Sequence, residues 1–488
     1  MTLESNTSEN AVMASTRRVP FRILRFKKFM ATLLGNKMSL TGLVLLSIFI
    51  FIALAAPLLT PYDPQGTVVS GRLATPSWTV YLTSDLGYSQ NSAFSNLGYV
   101  TEGGSQVTPS NVGTDSAEFT VTQAASQTTG GKIIIAKTLS YPFRGSPDKF
   151  VGSVVVTPSG TLPVGVDLYV ERVGIEKWHM WTQSLTISTE WRPPTPGGKL
   201  DSLNPGFCEI LDICESIYTA AEVIFVRGEY RYVLEIALPP GALTTTIRVR
   251  EFSMYLLGNT WGLLGTDNIG RDIFTQLMHG TRISLIVGLL ATFIGVGLGL
   301  LVGLIAGYLG KAVDEVLMRF TDMMLVIPGL PLLIVLVAVL GSSLFNIIAV
   351  LGFLGWMGFA RVVRSQVLSL RERPFIEAAK ASGAGTGYIT MRHILPNIVS
   401  LTYVNLALSV PGAIVSEAAL SFLGLGDQTV VTWGQMLQNM REAGTSATNP
   451  LWWWAIPPGA SIALLSLSFI LLGYALDEMF NPRLRKRR

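Results

Sequence analysis

The sequence predicts a polytopic α-helical membrane protein with a mainly-β domain inserted between its first two membrane helices. Of its 488 residues, 49% are hydrophobic and only 14% are charged, and the mean hydropathy is +0.45. This balance does not suit a soluble protein of this size, and several apolar runs reach the ~20 residues that a membrane-spanning helix needs. A long stretch without such a run follows the first apolar run, and short runs of strand-forming residues occupy it.

Changes in composition divide the chain into five parts. The N-terminal part mixes basic and apolar residues, which indicates a segment lying on an anionic membrane surface, with a solvated tail as the alternative. No cleavable signal peptide is apparent, because the first apolar run follows a long basic leader and is too long for a signal sequence. The parts are the basic cytoplasmic segment 1–38, the first helix 39–60, the β-rich insert 61–257, the helical core 258–480 and the basic cytoplasmic tail 481–488.

The sequence predicts six membrane helices, with both termini in the cytoplasm. The basic N-terminus sets this orientation, and the loop 361–397 agrees with it, because six Lys or Arg against two acids mark that loop as cytoplasmic. The insert is therefore expected on the outer side of the membrane. Tyr308–Asp322 is predicted to be a short cytoplasmic turn. The predicted helices are Ser39–Leu59 and, approximately, 283–307, 323–340, 344–359, 398–420 and 455–476.

Short runs rich in β-branched and aromatic residues fill the insert, and Gly, Pro, Ser and Asn separate them. Repeated short strands at this spacing predict an antiparallel sandwich or barrel. At roughly 190 residues the region is large enough to fold as its own domain. The predicted strands are Lys132–Thr138, Phe150–Thr157, Gly165–Val173, Trp178–Ser188, Ala221–Arg227, Tyr230–Leu238 and Thr244–Phe252.

The two cysteines of the chain, Cys208 and Cys214, both lie in the insert. Two cysteines exclude a disulfide scaffold, a cysteine-rich zinc module and an iron–sulfur cluster. In an oxidising exterior a disulfide between them is favoured over two free thiols, and so short a loop would act on local shape more than on stability.

Three features of the helical core have structural or functional interpretations. Glycines at four-residue spacing form a groove for the close approach of another helix, from this chain or from another one. Pro328 interrupts the third helix, and a broken helix at membrane depth is a candidate lining for a transport pathway. Glu417 is a carboxylate in an apolar segment, which is interpreted either as a gate or as a satisfied packing group. The groove glycines are Gly295, Gly299, Gly303 and Gly307.

A patterned block lies within the cytoplasmic loop. Pro374 suits the first turn of a short helix, and Gly383 suits its left-handed end. The spacing of Glu377-Ala378-Ala379, then Gly383, then Leu395-Pro396 resembles the EAA loop of prokaryotic ABC-importer permeases. In that family the loop is a helix–turn–helix that docks into a cleft of the ATPase subunit, so the resemblance implies an ATPase-coupling role for these six residues. His393 stands where the family pattern usually has an aliphatic residue.

A second block, Gly265-Thr-Asp-x-x-Gly-Arg-Asp272, is similar to the C-type permease subunit of dipeptide, oligopeptide and nickel importers. Asp267 and Asp272 flank Arg271 and are expected to pair with it in a capped turn at a helix entrance. The resemblance implies a type I ABC-importer permease fold and alternating-access transport of peptides, oligosaccharides or nickel across the cell membrane. It also implies four kinds of partner: a homologous permease, two cytoplasmic ABC ATPases, an extracellular solute-binding protein and the lipid bilayer.

The sequence contains no phosphate-binding loop, and its three histidines are scattered without metal-ligand spacing. We therefore expect a non-catalytic subunit with no cofactor or metal of its own, whose ATP and Mg are bound by partner chains, and no nucleic-acid binding. The long insert is not covered by the resemblance. It is interpreted as a docking site for the binding protein, with a lid or a shield as alternatives. A membrane-anchored extracellular binding or adhesion protein is the alternative function.

Overall fold

A computed structural model describes residues 34–82, 87–126, 128–160, 163–185, 189–210, 219–444 and 450–480. These residues form two compact units. One comprises the chain up to Ala55, Thr281–Thr429 and the chain from Ala460; the other comprises Ala56–Gly280 and Val430–Gly459. Most of the predicted segment 1–38 and all of segment 481–488 lie outside the described residues.

The second unit contains a sandwich of two antiparallel sheets. One sheet has the strand order β3-β4-β11-β6-β9 with β1 beside β11, and the other has the order β2-β5-β10-β7-β8. The strands are β1 (Ser92–Ala93), β2 (Ser95–Glu102), β3 (Gln106–Val112), β4 (Ala117–Gln123), β5 (Lys132–Tyr141), β6 (Lys149–Ser159), β7 (Val164–Arg172), β8 (Glu176–Leu185), β9 (Lys199–Asp201), β10 (Gly228–Ala237) and β11 (Leu243–Leu257).

Both sheets contribute alternate residues to one hydrophobic core. Phe119, on β4, and Ile133, on β5, are fully buried in it. Tyr232 of β10 stacks on Phe252 of β11 with ring centroids 4.7 Å apart, which joins the two sheets at the centre. Of the two predicted architectures the structure is therefore the sandwich. Cys208 is disulfide-bonded, whereas Cys214 lies outside the described residues.

The predicted strand Ala221–Arg227 is wrong. The structure has a short helix at Ala220–Ile224, after another at Pro205–Ile210; these are α3 and α2. Thr219 caps α3 by accepting a hydrogen bond from the backbone N–H of Glu222, and the Glu222 carboxylate accepts one from the backbone N–H of Thr219. This capping box outweighs the β-branched residues that suggested a strand.

The first unit is helical. Among the described residues, five helices are long and apolar enough to cross a membrane: Lys37–Leu59, Ile273–Leu309, Leu344–Arg371, Thr386–Leu425 and Trp452–Phe480. The bent pair Lys311–Val326 and Gly329–Leu340 makes a sixth if the two helices are counted as one span. The elements of the helical part are α1 (Lys37–Leu59), α4 (Ile273–Leu309), α5 (Lys311–Val326), α6 (Gly329–Leu340), α7 (Leu344–Leu354), α8 (Met357–Arg371), α9 (Pro374–Ala381), α10 (Thr386–Ile389), α11 (Leu395–Leu420), α12 (Trp433–Glu442) and α13 (Trp452–Phe480).

Two predictions for the third membrane segment need correction. Tyr308–Asp322 is not a turn, because most of it belongs to the 16-residue helix α5. The predicted helix 323–340 is divided between α5 and α6, which meet at an angle of 91°. Pro328 directly precedes α6, where its ring would prevent a continuous hydrogen-bond ladder. The prediction of a kink at Pro328 is confirmed, and the bend is a sharp break.

The glycine groove of α4 packs against α8 and the residues just before it, so its partner lies in this chain. A Cβ atom added to Gly299 would lie 2.7 Å from the carbonyl oxygen of Trp356, and one added to Gly303 would lie 2.6 Å from that of Ala360. Gly307 faces Val367, with 2.7 Å between the added Cβ and the Val367 Cβ, and Gly295 approaches Gly352. Only glycine allows the backbones to come this close.

We expect Gly303→Ala to lower the stability of the helical unit, because the new methyl group would press on the α8 backbone. Overpacking of this kind costs about 1–3 kcal/mol. Gly297→Ala is the matched control on the same helix, since nothing lies within 4 Å of its added Cβ. The thermal unfolding midpoint of the purified chain in detergent is the measurement. Equal midpoints for the two variants would contradict the proposed tight contact.

Candidate functional site: the predicted coupling block

The block Pro374–Asn397 begins with α9 and a glycine-dependent stop. Pro374 occupies the first turn of α9, as predicted. At the other end Gly383 has φ +81°, its N–H donates to the Lys380 carbonyl at 2.9 Å, and the Ala384 N–H donates to the Ala379 carbonyl at 3.0 Å. These two bonds with a left-handed residue between them form a Schellman motif, which fixes the direction in which the chain leaves α9.

One face of the block is packed against the membrane helices. Ile376 on α9, Ile389 on α10 and Ile394 in the π-helical segment Thr390–Ile394 are all buried. They form one apolar cluster with Val363 and Val367 of α8. The block is consequently attached to α8 by its own side chains, so a force applied to it is passed to that helix.

The opposite face of the block is exposed. Glu377, Ala378 and Gly383 lie on it, whereas Ala379 is half-buried toward the isoleucine cluster. The other two predicted coupling residues, Leu395 and Pro396, begin α11, where Leu395 is half-buried and Pro396 is exposed.

Four residues of the block were missed by sequence reasoning or noted only as a departure from the family pattern. Tyr388 and Met391 are 59% and 67% exposed, and Phe375 is also largely exposed. His393 lies between the rings of Tyr388 and Phe375, at centroid distances of 5.8 and 6.4 Å, and so joins the two halves of the block. A group of exposed apolar side chains is a signal for a protein interface.

Ion pairs connect α8 to α5. The Arg364 guanidinium forms a two-pronged pair with the Asp314 carboxylate, with 2.6 Å between Nη2 and Oδ2, and Arg361 pairs with Asp322. The ring of Phe320 on α5 also stacks on that of Trp356, the residue before α8, at a centroid distance of 6.3 Å. Bidentate pairs of this kind fix orientation as well as distance. The coupling block is thereby linked through α8 to α5, which leads into the sharp bend at Pro328.

For the ATP-coupled transport that the resemblance to importer permeases implies, we expect charge reversal in Arg364→Asp to lower transport several-fold, and the added reversal Asp314→Arg to restore part of it. Half-exposed pairs contribute about 1 kcal/mol or less, so the effect is on positioning more than on folding. Reversing both members of the exposed pair Glu315–Arg319 on α5 is the control, and it should change uptake little. The measurement is the ratio of solute taken up to ATP hydrolysed. The same ratio in all these variants would refute the linkage of α8 to α5 through these ion pairs.

The block Gly265–Asp272 is organised by one buried carboxylate. Asp267 is fully buried and accepts hydrogen bonds from the N–H groups of Ile269, Gly270 and Arg271, from Arg271 Nε at 2.6 Å and from Gln276 Nε2 at 2.8 Å. Asp272 does not pair with Arg271. It caps the entrance of α4, with 2.8 Å between its Oδ2 and the Thr275 nitrogen. The predicted capped turn is therefore present.

Two acidic side chains lie at the far end of α11. Glu417 is buried, and its Oε1 accepts a hydrogen bond from Ser421 at 2.7 Å, which favours the packing interpretation of this residue. Asp427 accepts the N–H of Leu344 at 2.8 Å and two hydrogen bonds from Thr429. Burial raises the pKa of Asp427, but these hydrogen bonds outweigh it and hold the pKa below its ordinary value. Their stabilisation is present above the ordinary pKa and is lost as the pH falls through the lowered one.

Comparison with known proteins identifies the class. The model of the binding-protein-dependent transport system inner membrane component matches residues 299–486, and that of the N-terminal transmembrane domain of oligopeptide transport permease C matches residues 25–76. A putative peptide permease of Brucella suis is 38% identical over 221 residues, 45% of this chain and 72% of the relative. The chain therefore belongs to the family of binding-protein-dependent transport inner-membrane components.

Within that family the chain is a permease subunit of the dipeptide and oligopeptide ABC-importer branch. The dipeptide transport system permease DppC of Alkalihalophilus pseudofirmus is 42% identical over 222 residues, 45% of this chain and 72% of that protein. The solved methionine ABC transporter MetNI is similar with a TM-score of 0.33 and 20% identity, over 42% of this chain and 94% of that chain. A membrane-anchored adhesion protein, the alternative function, does not account for the match over 299–486.

Proposed function

We propose that this chain is one of two permease subunits in an ATP-driven importer of short peptides, and that its coupling block transmits ATPase closure to the membrane helices. The coupling block carries the proposal. One face of the block is exposed and carries apolar side chains, and isoleucines on the opposite face pack against α8. Gly383 fixes the angle between α9 and the segment that follows it. Peptides are the proposed substrates because the relatives are named as peptide and dipeptide permeases.

The proposed assembly contains a homologous permease, two ATPases that bind ATP and Mg, and an external solute-binding protein. ATPase closure would draw the coupling blocks of the two permeases together and turn the pathway from inward-facing to outward-facing. In this chain the movement would pass from α9 to α8, and from α8 through the Arg364–Asp314 and Arg361–Asp322 pairs to α5. Both termini are proposed to be cytoplasmic and the β-sandwich external.

The test is purification of the tagged chain from its own membranes in mild detergent, with mass spectrometry of the proteins that accompany it. We expect two ATPases with phosphate-binding loops, a second permease and a solute-binding protein. ATP-driven uptake of dialanine by the reconstituted complex then tests the substrate class. Recovery of the chain alone, with no ATPase even after crosslinking, would overturn the proposal.

For the insert we propose a docking role for the solute-binding protein. A deletion of all of 61–257 would also remove a segment that the core needs, since the Leu73 N–H bonds to the Asp267 carbonyl and the Ala74 N–H bonds to Thr266 Oγ1. A cleaner deletion removes only the sandwich. Because Ser92 pairs with Leu256 across the β1–β11 ladder, a Gly-Ser linker can join Asn91 to Leu257.

We expect this sandwich deletion to preserve membrane insertion and ATPase assembly and to reduce uptake at low substrate by about tenfold, which corresponds to roughly 1.4 kcal/mol of docking free energy. At saturating binding protein the defect should shrink, because docking is then no longer limiting. The measurement is the uptake rate at several concentrations of the binding protein. If the deletion and the full chain had the same rate at the lowest concentration of binding protein, docking would be refuted, and a lid or a shield would remain as interpretations of the insert.

A further inference from the structure

Five exposed apolar side chains lie together in one part of the second unit, outside the sandwich. Tyr81 is 89% exposed, Leu82 is 74% exposed and Leu263 is 61% exposed, and Trp78 and Trp452 are exposed as well. Single exposed apolar residues are common on proteins, whereas a contiguous group of large ones marks an interaction surface. We call these five residues the aromatic patch.

Contacts within the unit show that the patch is continuous. The rings of Trp78 and Trp452 lie edge to face with their centroids 5.6 Å apart, and the Trp78 indole N–H donates a hydrogen bond to the Leu263 carbonyl at 2.9 Å. Trp78 and Tyr81 belong to the short 3₁₀ helix Ser77–Tyr81. Residues three apart in such a helix lie one above the other, so Tyr81 extends the surface that begins at Trp78.

The segments that form the patch carry no charge. Residues 73–82, 258–266 and 450–459 contain no Asp, Glu, Lys or Arg. Surfaces that bind soluble proteins have a polar rim, and arginine is enriched in them. Tryptophan and tyrosine are instead enriched where a membrane protein crosses the interface between lipid and water. The composition of the patch therefore favours a lipid surface over a protein partner.

The patch is also continuous with a membrane-spanning helix. Trp452 is the first residue of α13, which is long and apolar enough to cross a membrane. At about 1.5 Å per residue the 29 residues of α13 extend about 43 Å, whereas the hydrocarbon core of a bilayer is about 30 Å thick. The ends of α13 therefore reach the headgroup zone, and Trp452 lies at that depth.

We propose that the aromatic patch lies in the interfacial region of the lipid bilayer, at the level of the phospholipid headgroups, and that it anchors the second unit to the membrane surface. The segment leading into the 3₁₀ helix is tied to the sandwich, because the Thr75 N–H bonds to the Asn259 carbonyl at 2.9 Å, just after the end of β11. An anchored patch consequently holds this end of the sandwich at the bilayer. The anchoring role is independent of the solute that the importer carries.

The test is the collision accessibility of nitroxide spin labels on the full chain in liposomes of phosphatidylethanolamine and phosphatidylglycerol. Oxygen dissolves preferentially in lipid and a hydrophilic nickel chelate stays in water, so the ratio of the two collision rates measures depth. For labels at Tyr81→Cys and Leu82→Cys we expect a ratio about tenfold higher than at Val100→Cys, as for side chains inserted into the interface. Val100 on β2 is the matched control, because it is an exposed apolar residue of the sandwich. The unaltered chain, labelled in the same way, gives the background of the native cysteines.

A charge within the patch should withdraw it from the bilayer. Adding Leu82→Asp to the Tyr81→Cys chain should lower the collision ratio at position 81 at least about threefold, because a carboxylate is unfavourable in the interface and is repelled by phosphatidylglycerol. Adding Leu82→Met instead should leave the ratio unchanged. Because residues 81 and 82 are largely exposed, these variants should fold as the parent does, and far-UV circular dichroism checks this.

Three results would overturn the proposal. A ratio at positions 81 and 82 equal to that at Val100→Cys, with frequent nickel collisions, would mean that the patch faces water. Low collision rates with both reagents, in the chain alone or in the complete importer complex, would mean that a protein surface covers it. Equal ratios in the Leu82→Asp and Leu82→Met chains would mean that the patch does not determine its own depth. None of these results bears on ATP-driven uptake, which tests the proposed function separately.

Discussion

Gly383→Pro is expected to abolish coupled transport while the chain still inserts into the membrane and assembles with its partners. Residue 383 has φ +81°, and proline cannot leave φ near −65°. Proline also removes the N–H that bonds to the Lys380 carbonyl. The local penalty of about 3 kcal/mol is large enough to reorient α9, so uptake should fall by at least about tenfold.

The informative measurement compares ATP hydrolysis with uptake in the same proteoliposomes. In the Gly383→Pro complex, hydrolysis should no longer respond to the loaded binding protein. Gly387→Ala is the control, because it lies within α10 at an ordinary φ and has nothing within 4 Å of an added Cβ. Normal stimulation and normal uptake in Gly383→Pro would show that the angle after α9 is irrelevant to coupling.

Asp267→Ala is expected to destabilise the β-rich unit strongly. The carboxylate accepts four hydrogen bonds from the turn and one from Gln276 of α4, and its removal would leave Arg271, a half-buried cation, without this partner. Removing one member of a buried pair costs about 3–5 kcal/mol. Asp267→Asn should be milder, since an amide oxygen can still accept some of the N–H groups.

Limited proteolysis within Gly265–Asp272, together with the unfolding midpoint, measures the effect. Glu229→Ala provides a control of similar chemistry on the exposed face of β10. We expect that control to remain within about 0.5 kcal/mol of the parent, as surface substitutions usually do. An Asp267→Ala protein as stable as the control would mean that backbone geometry alone holds the turn.

Much of the fold follows from the sequence because its strongest signals are local. Long apolar runs predict membrane helices, and the turn chemistry of Pro374 and Gly383 predicts both ends of α9. The coupling block was predictable for the same reason. Its residues are contiguous, and its backbone requires a positive φ that glycine adopts most readily.

The sequence predictions are wrong where a helix contains many polar residues, and they are incomplete where contacts between distant segments determine the structure. The charged residues of helix α5 favour a turn, although Asp314 and Asp322 lie on one face of a helix with a 3.6-residue period. Their pairing with Arg364 and Arg361 joins positions about 40 to 50 residues apart. Pairings between distant helices leave no pattern in a single sequence. The helix at Ala220–Ile224 was readable, because Thr219 and Glu222 have the spacing of a capping box.

The position of β11 in its sheet has a consequence for biosynthesis. This strand is the last of the sandwich to be made, yet it lies inside its sheet, between β4 and β6, and also pairs with β1. Until Leu257 has left the ribosome, β4 and β6 therefore expose unpaired edges, and such edges invite aggregation. The sandwich can close only after β11 has been synthesised, and α4 follows β11 closely in the chain. Completion of the sandwich and synthesis of the next long apolar helix are therefore adjacent steps of biosynthesis.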